Sequence, residues 1–146
     1  MPDSPELEPK KTFSDTYTEQ YEKIMDLRYG ENPHQRAALY RETTHRSGTL
    51  ADATRLQGDL PSFNNLLDLE AAWAAARDFP ARPFVVIVKH NNPCGAAVGA
   101  TPAAAYASAF ESDTVSAFGG IVAFSREADE NAARAIVDVR VHTRGM

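Results

Sequence analysis

Hydrophobic residues recur at helical spacing over residues 66–78 and predict a helix there. The apolar positions in this stretch are spaced by three and four residues and comprise Leu66, Leu69, Trp73 and Ala76. Residues at that spacing share one face of an α-helix. Asn64 or Asn65 can cap the start of this helix through a side-chain oxygen, and Pro80 ends it because proline cannot continue the hydrogen-bonding pattern.

A continuous apolar run over residues 84–88 predicts a strand that is buried on both faces. The run reads Phe-Val-Val-Ile-Val and is rich in β-branched side chains, which is typical of a central strand in an α/β fold. A polar, turn-forming segment begins at Lys89 and extends to Gly95. The strand therefore delivers polar side chains to one end of a covered sheet.

The rest of the pattern adds further helices and strands. Thr101 and Pro102 are typical of a helix start, with a capping hydroxyl followed by proline at the first helical position, and this helix is expected to reach about residue 111. The other predicted elements are a weak strand over residues 35–40, a strand over 121–124, and a helix from 130 to about 137 that Asp129 can cap. Helices alternating with strands in this order predict an α/β layered domain.

Residues 1–16 are expected to form a flexible arm, and residues 17–146 the folded domain. The arm contains three prolines and mixed charges with few large apolar side chains. Such a segment cannot offset the entropy cost of its own ordering.

Charge and composition exclude several classes of protein. The chain has 146 residues and a formal net charge of −5, so it lacks the broad basic surface that holds a nucleic-acid backbone. The longest strongly apolar run is far shorter than a bilayer span, and residues 1–15 have no signal-peptide core. We therefore expect a cytoplasmic protein that binds neither nucleic acid nor membrane and that binds a small anion through a few local groups.

Lys89 and His90 are the strongest candidates for chemistry. They follow a buried strand, and open α/β sheets bind ligands at the carboxyl ends of their strands. Adjacent side chains on a strand point to opposite faces, but a bend at Asn91, Asn92 and Pro93 would let both reach one cleft. A histidine can shuttle a proton near neutral pH, and an ammonium can stabilise a developing anion. The alternative is a solvated strand end without a chemical role.

Cys94 is the only cysteine, which excludes an internal disulfide and a multi-cysteine metal site. It follows His90 by four residues and could act as a nucleophile, although a lone cysteine is more often a small buried hydrophobe. The segment Asn-Pro-Cys-Gly partly resembles the P-C-x-x-C signature of zinc deaminases. Because Ala97 replaces the second cysteine and no H-x-E occurs, we expect no metal site.

A polar turn near residue 30 and a glycine pair near residue 120 are candidate ligand contacts. Arg28 can bind a phosphate through two parallel hydrogen bonds, and Tyr29 can stack on a ligand or hydrogen-bond to it. Gly119 and Gly120 allow a ligand to approach the backbone closely. From composition alone, an ordinary polar surface explains the turn better than a ligand site does. For the two glycines, a tight bend is as good an explanation as a ligand contact.

Four motifs, taken in order, resemble one family. Residues 27–35, Leu-Arg-Tyr-Gly-Glu-Asn-Pro-His-Gln, are similar to the opening motif of the AICAR transformylase domain, which is usually the C-terminal part of the bifunctional purine biosynthesis protein. The later motifs of that domain are similar to residues 56–58 with 62–65, to residues 88–90 with 92–95, and to residues 116–121. The four motifs together cover about residues 24–137. Their occurrence in this order is far more specific for the family than any single motif.

The resemblance implies an α/β fold related to cytidine deaminase, a layered sheet with helices on both faces and without the zinc. It also implies the reaction, in which the 5-amino group of AICAR attacks the formyl carbon of 10-formyltetrahydrofolate during purine (IMP) biosynthesis. Carried over by motif, His90 accepts the proton, Lys89 stabilises the transition state, and Arg28, Tyr29 and Gly119 contact the nucleotide. The family further implies the formyl folate as co-substrate, a monovalent cation in some members, and a homodimer.

The chain also departs from the family pattern. No cyclohydrolase domain precedes residue 24, the chain stops before a transformylase domain is expected to end, and residues 138–146 do not resemble the family's continuation. We therefore expect an incomplete domain that does not close the ring to IMP and that is a poor catalyst alone. The alternatives are a non-catalytic nucleotide-binding module and a subunit that supplies half a site to a split transformylase.

Overall fold

The structure, a computed structural model, describes residues 13–44 and 47–143, and for 139–143 it describes the backbone only. Most of the expected N-terminal arm lies outside these residues. The part of it that is described, residues 13–16, is exposed and belongs to no helix or strand. No helix within the described ranges is long and apolar enough to cross a bilayer.

The described chain forms two small antiparallel sheets and three α-helices. The strands are β1 (Tyr21–Asp26), β2 (Ala38–Glu42), β3 (Phe84–Lys89), β4 (Asn92–Val98) and β5 (Ile121–Phe124). The helices are α1 (Phe63–Arg77), α2 (Pro102–Glu111) and α3 (Glu130–Thr143), with a short 3₁₀ helix at Leu50–Asp52. β1 pairs with β2, and the second sheet has the order β4-β3-β5 with both neighbours antiparallel to β3.

Helices cover both faces of the three-stranded sheet. All of residues 84–88 in β3 are buried, and the even-numbered ones pack with Ala72 and Ala76 of α1. The odd-numbered ones pack with Ala105 and Ala109 of α2, on the face where α3 also lies. Each fully buried valine or isoleucine contributes about 1.5–3 kcal/mol of transfer free energy. The predicted α/β class, with a central strand buried on two sides, is confirmed.

The predicted helix at residues 66–78 is confirmed, but its cap and its buried face differ. Ser62 caps α1, because its buried hydroxyl accepts the backbone N–H of Asn65 at 3.2 Å while the Asn65 side chain accepts the Ser62 N–H at 3.0 Å. Neither Asn64 nor Asn65 is the cap residue. Of the predicted apolar face only Ala76 is fully buried, and Ala72 joins it because alanines let the helix lie close to the strand.

The later elements agree with their sequence signals. The Thr101 hydroxyl accepts the N–H of Ala104 at 3.2 Å at the start of α2. The Asp129 carboxylate accepts the N–H of Ala132 at 2.8 Å at the start of α3, which extends to Thr143 rather than residue 137. β5 occupies residues 121–124 as predicted, while β2 begins three residues later than the strand predicted from residue 35.

Two strands were not predicted, β1 and β4. The segment after Lys89 was expected to be a turn through Gly95, but the turn is only two residues long and β4 begins at Asn92. Pro93 is tolerated because β4 is an edge strand of its sheet. Because both neighbours of β3 are antiparallel to it, a hairpin tip follows Lys89 at the carboxyl end of β3.

An irregularity in β4 sets the local geometry. Gly95 pairs with Ile87 and Pro93 pairs with Val88, so Cys94 is the extra residue of a β-bulge. The Cys94 thiol donates to the carbonyl oxygen of Ile87 at 3.4 Å. Gly95 lies against α2, and a Cβ at this position would be 2.0 Å from the carbonyl oxygen of Ala109.

Candidate active site

His90 and Asn91 form the tip of the β3–β4 hairpin. Lys89 pairs with Asn92, so the loop between them has two residues, and both have positive φ angles, 53° for His90 and 61° for Asn91. This is the backbone of a type I′ turn, whose twist matches that of the flanking strands. The predicted bend therefore lies at His90 and Asn91, one residue before the predicted position. His90 is exposed at its apex.

Two hydrogen bonds fasten this turn. The backbone N–H of Asn91 donates to the Asp68 carboxylate of α1 at 2.7 Å. The Asn92 side chain donates to the carbonyl oxygen of His90 at 2.9 Å. The turn is thus held both from the helix and from within the hairpin.

Lys89 connects the hairpin to the loop that precedes β5. Its ammonium donates to the carbonyl oxygen of Phe118 at 2.9 Å. The next residue, Gly119, has a φ of 76°, and a Cβ there would meet no atom within 4 Å. The backbone at Gly119 is therefore unobstructed beside the Lys89 ammonium, and its positive φ also fits the tight bend that was the alternative.

The polar turn near residue 30 is pinned to the start of α1. The N–H of Arg28 donates to the carbonyl oxygen of Pro61 at 2.9 Å, and the N–H of Phe63 donates to that of Tyr29 at 3.1 Å. The Asn64 side chain also donates to the carbonyl oxygen of Glu31 at 3.0 Å. These bonds place Tyr29 next to the N-terminus of α1.

Arg28 and Tyr29 act as one unit. The guanidinium of Arg28 lies 4.8 Å from the centre of the Tyr29 ring, and its terminal nitrogen donates to the Tyr29 hydroxyl at 3.1 Å. Such stacking is favourable and restricts the long arginine side chain.

One open cleft of about 370 Å³ joins these parts. It is lined by Tyr29, Glu31, Ser62, Asn64, Asn65, Leu67, Asp68, Lys89, His90, Asn91 and Gly119. Four of the five predicted site residues therefore share one cleft, although they are distant in sequence. The fifth, Arg28, is exposed next to the cleft and in contact with Tyr29.

A model of the AICARFT/IMPCHase bienzyme family matches residues 4–143. The chain belongs to this family. Its members are enzymes of purine biosynthesis, so the resemblance inferred from the four motifs is confirmed. The name joins two activities, and family membership does not choose between them. In this bienzyme-family chain the roles predicted for His90, Lys89, Arg28, Tyr29 and Gly119 remain predictions.

Lys89 and His90 also line a second cleft of about 380 Å³ on the other side of the hairpin, together with Cys94 and Asp113. Burial and the nearby Asp113 carboxylate raise the pKa of the Cys94 thiol. Hydrogen bonds from Ser116 and Val115 lower the pKa of Asp113, and the nearby Lys89 ammonium acts in the same direction. The environment thus keeps Cys94 as a thiol and Asp113 as a carboxylate, which does not favour Cys94 as a nucleophile.

A larger cavity of about 500 Å³ lies elsewhere, between β2, the 3₁₀ helix and α1, and Leu39, Leu50 and Glu70 are part of its lining. It contains none of the five predicted site residues. We assign the functional site to the smaller cleft because an ammonium, an imidazole and an open glycine backbone converge there, and chemistry depends on those groups rather than on volume.

Sequence reasoning gave no site role to several polar residues that line the cleft, among them Asn64, Asn65 and Asp68. The two asparagines were considered as helix caps and as part of a family motif, but not as residues of the site. Asp68 is an acidic residue between Leu67 and Leu69, and that was the available signal. The contact of Asp68 with the turn 23 residues later cannot be obtained from local pattern.

Proposed function

We propose that this chain takes part in formyl transfer from 10-formyltetrahydrofolate to the 5-amino group of AICAR, and that the cleft binds AICAR. The observation that carries the proposal is the meeting of Lys89 and His90 with Tyr29 and Gly119 in one cleft of a bienzyme-family chain. Attack by a weak amine on a carbonyl carbon requires a base that takes up a proton and a cation that stabilises the oxygen. The imidazole of His90 and the ammonium of Lys89 can supply these two functions.

In the proposed reaction, the amine nitrogen of AICAR forms a bond to the formyl carbon, and the bond from that carbon to N10 of the folate breaks. The amine loses one proton, which His90 accepts, and N10 gains one proton as it leaves, which His90 returns directly or through water, so that the histidine ends unchanged. The formyl oxygen carries negative charge in the tetrahedral state. Lys89 already donates to the carbonyl of Phe118, and an ammonium has three protons, so two remain for that oxygen.

The other three residues are proposed to hold the nucleotide. Tyr29 stacks on the base or hydrogen-bonds to it, while Arg28 binds the phosphate at the edge of the cleft. The open backbone at Gly119 lets the substrate come close to the Lys89 ammonium. On this proposal a few local cations bind the anionic nucleotide. The chain as a whole is acidic, with a net charge of −5.

Titration of the ¹⁵N-labelled chain with AICAR tests the binding part. Saturable shifts in the backbone amides of Tyr29, Lys89, His90 and Gly119 are expected. Shifts confined to the cavity around Leu39 and Leu50, or none at all, would contradict the assignment of the cleft.

Formyl transfer by the chain, alone and mixed with a polypeptide that supplies the rest of a transformylase domain, tests the chemistry and is followed by chromatography of the formylated nucleotide. The chain alone is expected to be slow, so the variants are compared in the mixture. His90→Gln is expected to slow transfer about 10²–10⁴-fold with little change in AICAR affinity, and Lys89→Met to slow it about 10²–10³-fold. Lys23→Met removes a cation outside the cleft, where Lys23 pairs with Asp26 at 2.7 Å, and is the control. Closure of added formyl-AICAR to IMP, with no transfer detected, would favour the family's other activity.

A further inference from the structure

The tip of the hairpin has a backbone conformation that its residues do not favour. His90 and Asn91 both lie in the left-handed region, which glycine adopts easily and all other residues uncommonly, although asparagine and histidine adopt it more often than most. A type I′ turn normally has asparagine or aspartate followed by glycine at these two positions. Here neither position is glycine, so contacts from outside the turn add to its stability.

Asp68 supplies such a contact. Its carboxylate accepts the Asn91 N–H at 2.7 Å, a charge-assisted hydrogen bond of the strong class. Asp68 lies on α1, whose Ala72 and Ala76 pack against β3. The bond therefore ties the hairpin tip to a helix that is fixed to the same strand, while Asp68 itself lines the cleft.

We infer that Asp68 is a positioning residue for His90: it holds the left-handed turn that presents the imidazole to the cleft. This inference rests on the proposed function only in what the imidazole then does. The role needs the carboxylate as a hydrogen-bond acceptor and not as a base.

That distinction separates positioning from direct chemistry. An asparagine at position 68 keeps an acceptor oxygen of the same reach but cannot take up a proton. A glycine at position 91 adopts the left-handed conformation without help, so it should make the Asp68 contact dispensable. If Asp68 instead acted on the substrate, neither change would preserve the rate.

The test compares four variants of the chain with the wild type: Asp68→Ala, Asp68→Asn, Asp68→Ala/Asn91→Gly, and Glu70→Ala. Glu70→Ala removes an exposed carboxylate two residues further along the same helix and is the control. Amide hydrogen exchange and backbone chemical shifts at positions 90 and 91 report the turn, and AICAR affinity and formyl-transfer rate report its consequence.

For Asp68→Ala we expect faster amide hydrogen exchange at Asn91 and loss of the chemical shifts that are typical of left-handed backbone. The rate of formyl transfer is expected to fall by about ten- to 10²-fold, since small misplacements of a reacting group lower the rate by that much. Asp68→Asn and Asp68→Ala/Asn91→Gly are expected to remain near the wild-type rate, and Glu70→Ala to match it. Unchanged exchange at Asn91 in Asp68→Ala, or no rescue by Asn91→Gly, would overturn the inference.

The same measurements separate this inference from the proposed function. If the wild type neither binds AICAR nor transfers formyl when mixed with the polypeptide that supplies the rest of the domain, the proposed function fails, while exchange and chemical shifts still decide whether Asp68 holds the turn. If the wild type binds and transfers but the turn is indifferent to Asp68, only the positioning role fails.

Discussion

The side chain of Arg28 is held before any ligand arrives. Its guanidinium stacks on Tyr29 and hydrogen-bonds to the hydroxyl of that ring. Restricting a long, flexible side chain in advance lowers the entropy that binding would otherwise cost. An exposed guanidinium arranged in this way is well suited to a phosphate at the edge of the cleft.

Arg28→Ala is expected to weaken AICAR binding by roughly 1.5–3 kcal/mol, because it removes a charge-assisted hydrogen bond. That range corresponds to about a ten- to 150-fold rise in Kd, measured by titration calorimetry. Arg36→Ala removes an exposed guanidinium that does not line the cleft and should leave the Kd nearly unchanged. Equal losses in the two variants would show a general charge effect in place of a phosphate contact.

Cys94 is expected to react slowly with thiol reagents. Burial and the Asp113 carboxylate raise its pKa, and the thiolate is the reactive form, so at neutral pH the chain should react more slowly than free cysteine under native conditions. The reaction rate with a disulfide reagent should still be rising at a pH where that of free cysteine has levelled off. A reaction as fast as that of free cysteine would show that the thiol is not held by the bulge.

Cys94→Ser should keep the rate of formyl transfer within about tenfold of the wild-type rate, because formyl transfer to an amine needs no covalent enzyme intermediate. Replacing a true nucleophile would cause a far larger loss of activity. The serine hydroxyl can still donate to the Ile87 carbonyl. A formyl thioester on Cys94, trapped and identified by mass spectrometry, would contradict this expectation.

Among the secondary-structure elements, the contact between β4 and α2 depends on a missing side chain. Gly95→Ala would place a methyl group 2.0 Å from the Ala109 carbonyl oxygen, so the helix or the strand must move. We expect destabilisation by about 1–3 kcal/mol, the usual cost of overpacking, measured by urea unfolding. Ala96→Val adds larger bulk at the next, exposed position and should change the free energy of unfolding by less than about 0.5 kcal/mol.

Elements with strong local signals could be predicted from the sequence, and those that depend on distant partners could not. α2 and α3 have caps that can be recognised in the sequence, and β3 and β5 are short apolar runs. β4 contains asparagine, proline and glycine, which are poor strand formers, and it forms because a two-residue turn returns it along β3. Pairing of that kind is invisible to a pattern within one segment.

The sequence singled out four residues that share one cleft, but it did not predict how the cleft is built. Lys89 and His90 were identified from their place after a buried strand, and the motifs added Tyr29 and Gly119. A positive φ is uncommon in residues other than glycine, so the position of the bend could not be predicted from the pattern. The role of Asp68 could not be predicted for a related reason, since its carboxylate accepts a hydrogen bond from the backbone of another element.

For the whole molecule, exposed carboxylates with lowered pKa values make stability depend on acidity. Hydrogen bonds lower the pKa of Glu19 through Tyr17 and Tyr21, that of Asp26 through Lys23, and that of Asp113 through Ser116. A carboxyl group with a lower pKa in the folded state stabilises the fold above its ordinary pKa of about 4. That contribution is lost as the pH falls through the folded pKa.

The free energy of unfolding is therefore expected to fall as the pH is lowered below about 4, and to fall less steeply in Asp113→Asn. The asparagine oxygen can still accept the Ser116 and Val115 N–H groups, but it does not titrate. Urea unfolding at a series of pH values checks this. Asp59→Asn removes an exposed carboxylate and is the control. Parallel pH profiles for the wild type and Asp113→Asn would contradict the assignment.

The bulge at Cys94 makes one change in the length of β4 tolerable. Cys94 and Gly95 both lie towards α2, so the strand loses one step of its alternation between the two faces. The pairs Gly95–Ile87 and Pro93–Val88 flank the extra residue, so a chain that lacks residue 94 can keep both pairs, with Asn92 and Pro93 on the same sides of the sheet. Aligned sequences are therefore expected to show a one-residue gap at position 94 more readily than within β3, where every residue is paired and a gap would exchange the two faces.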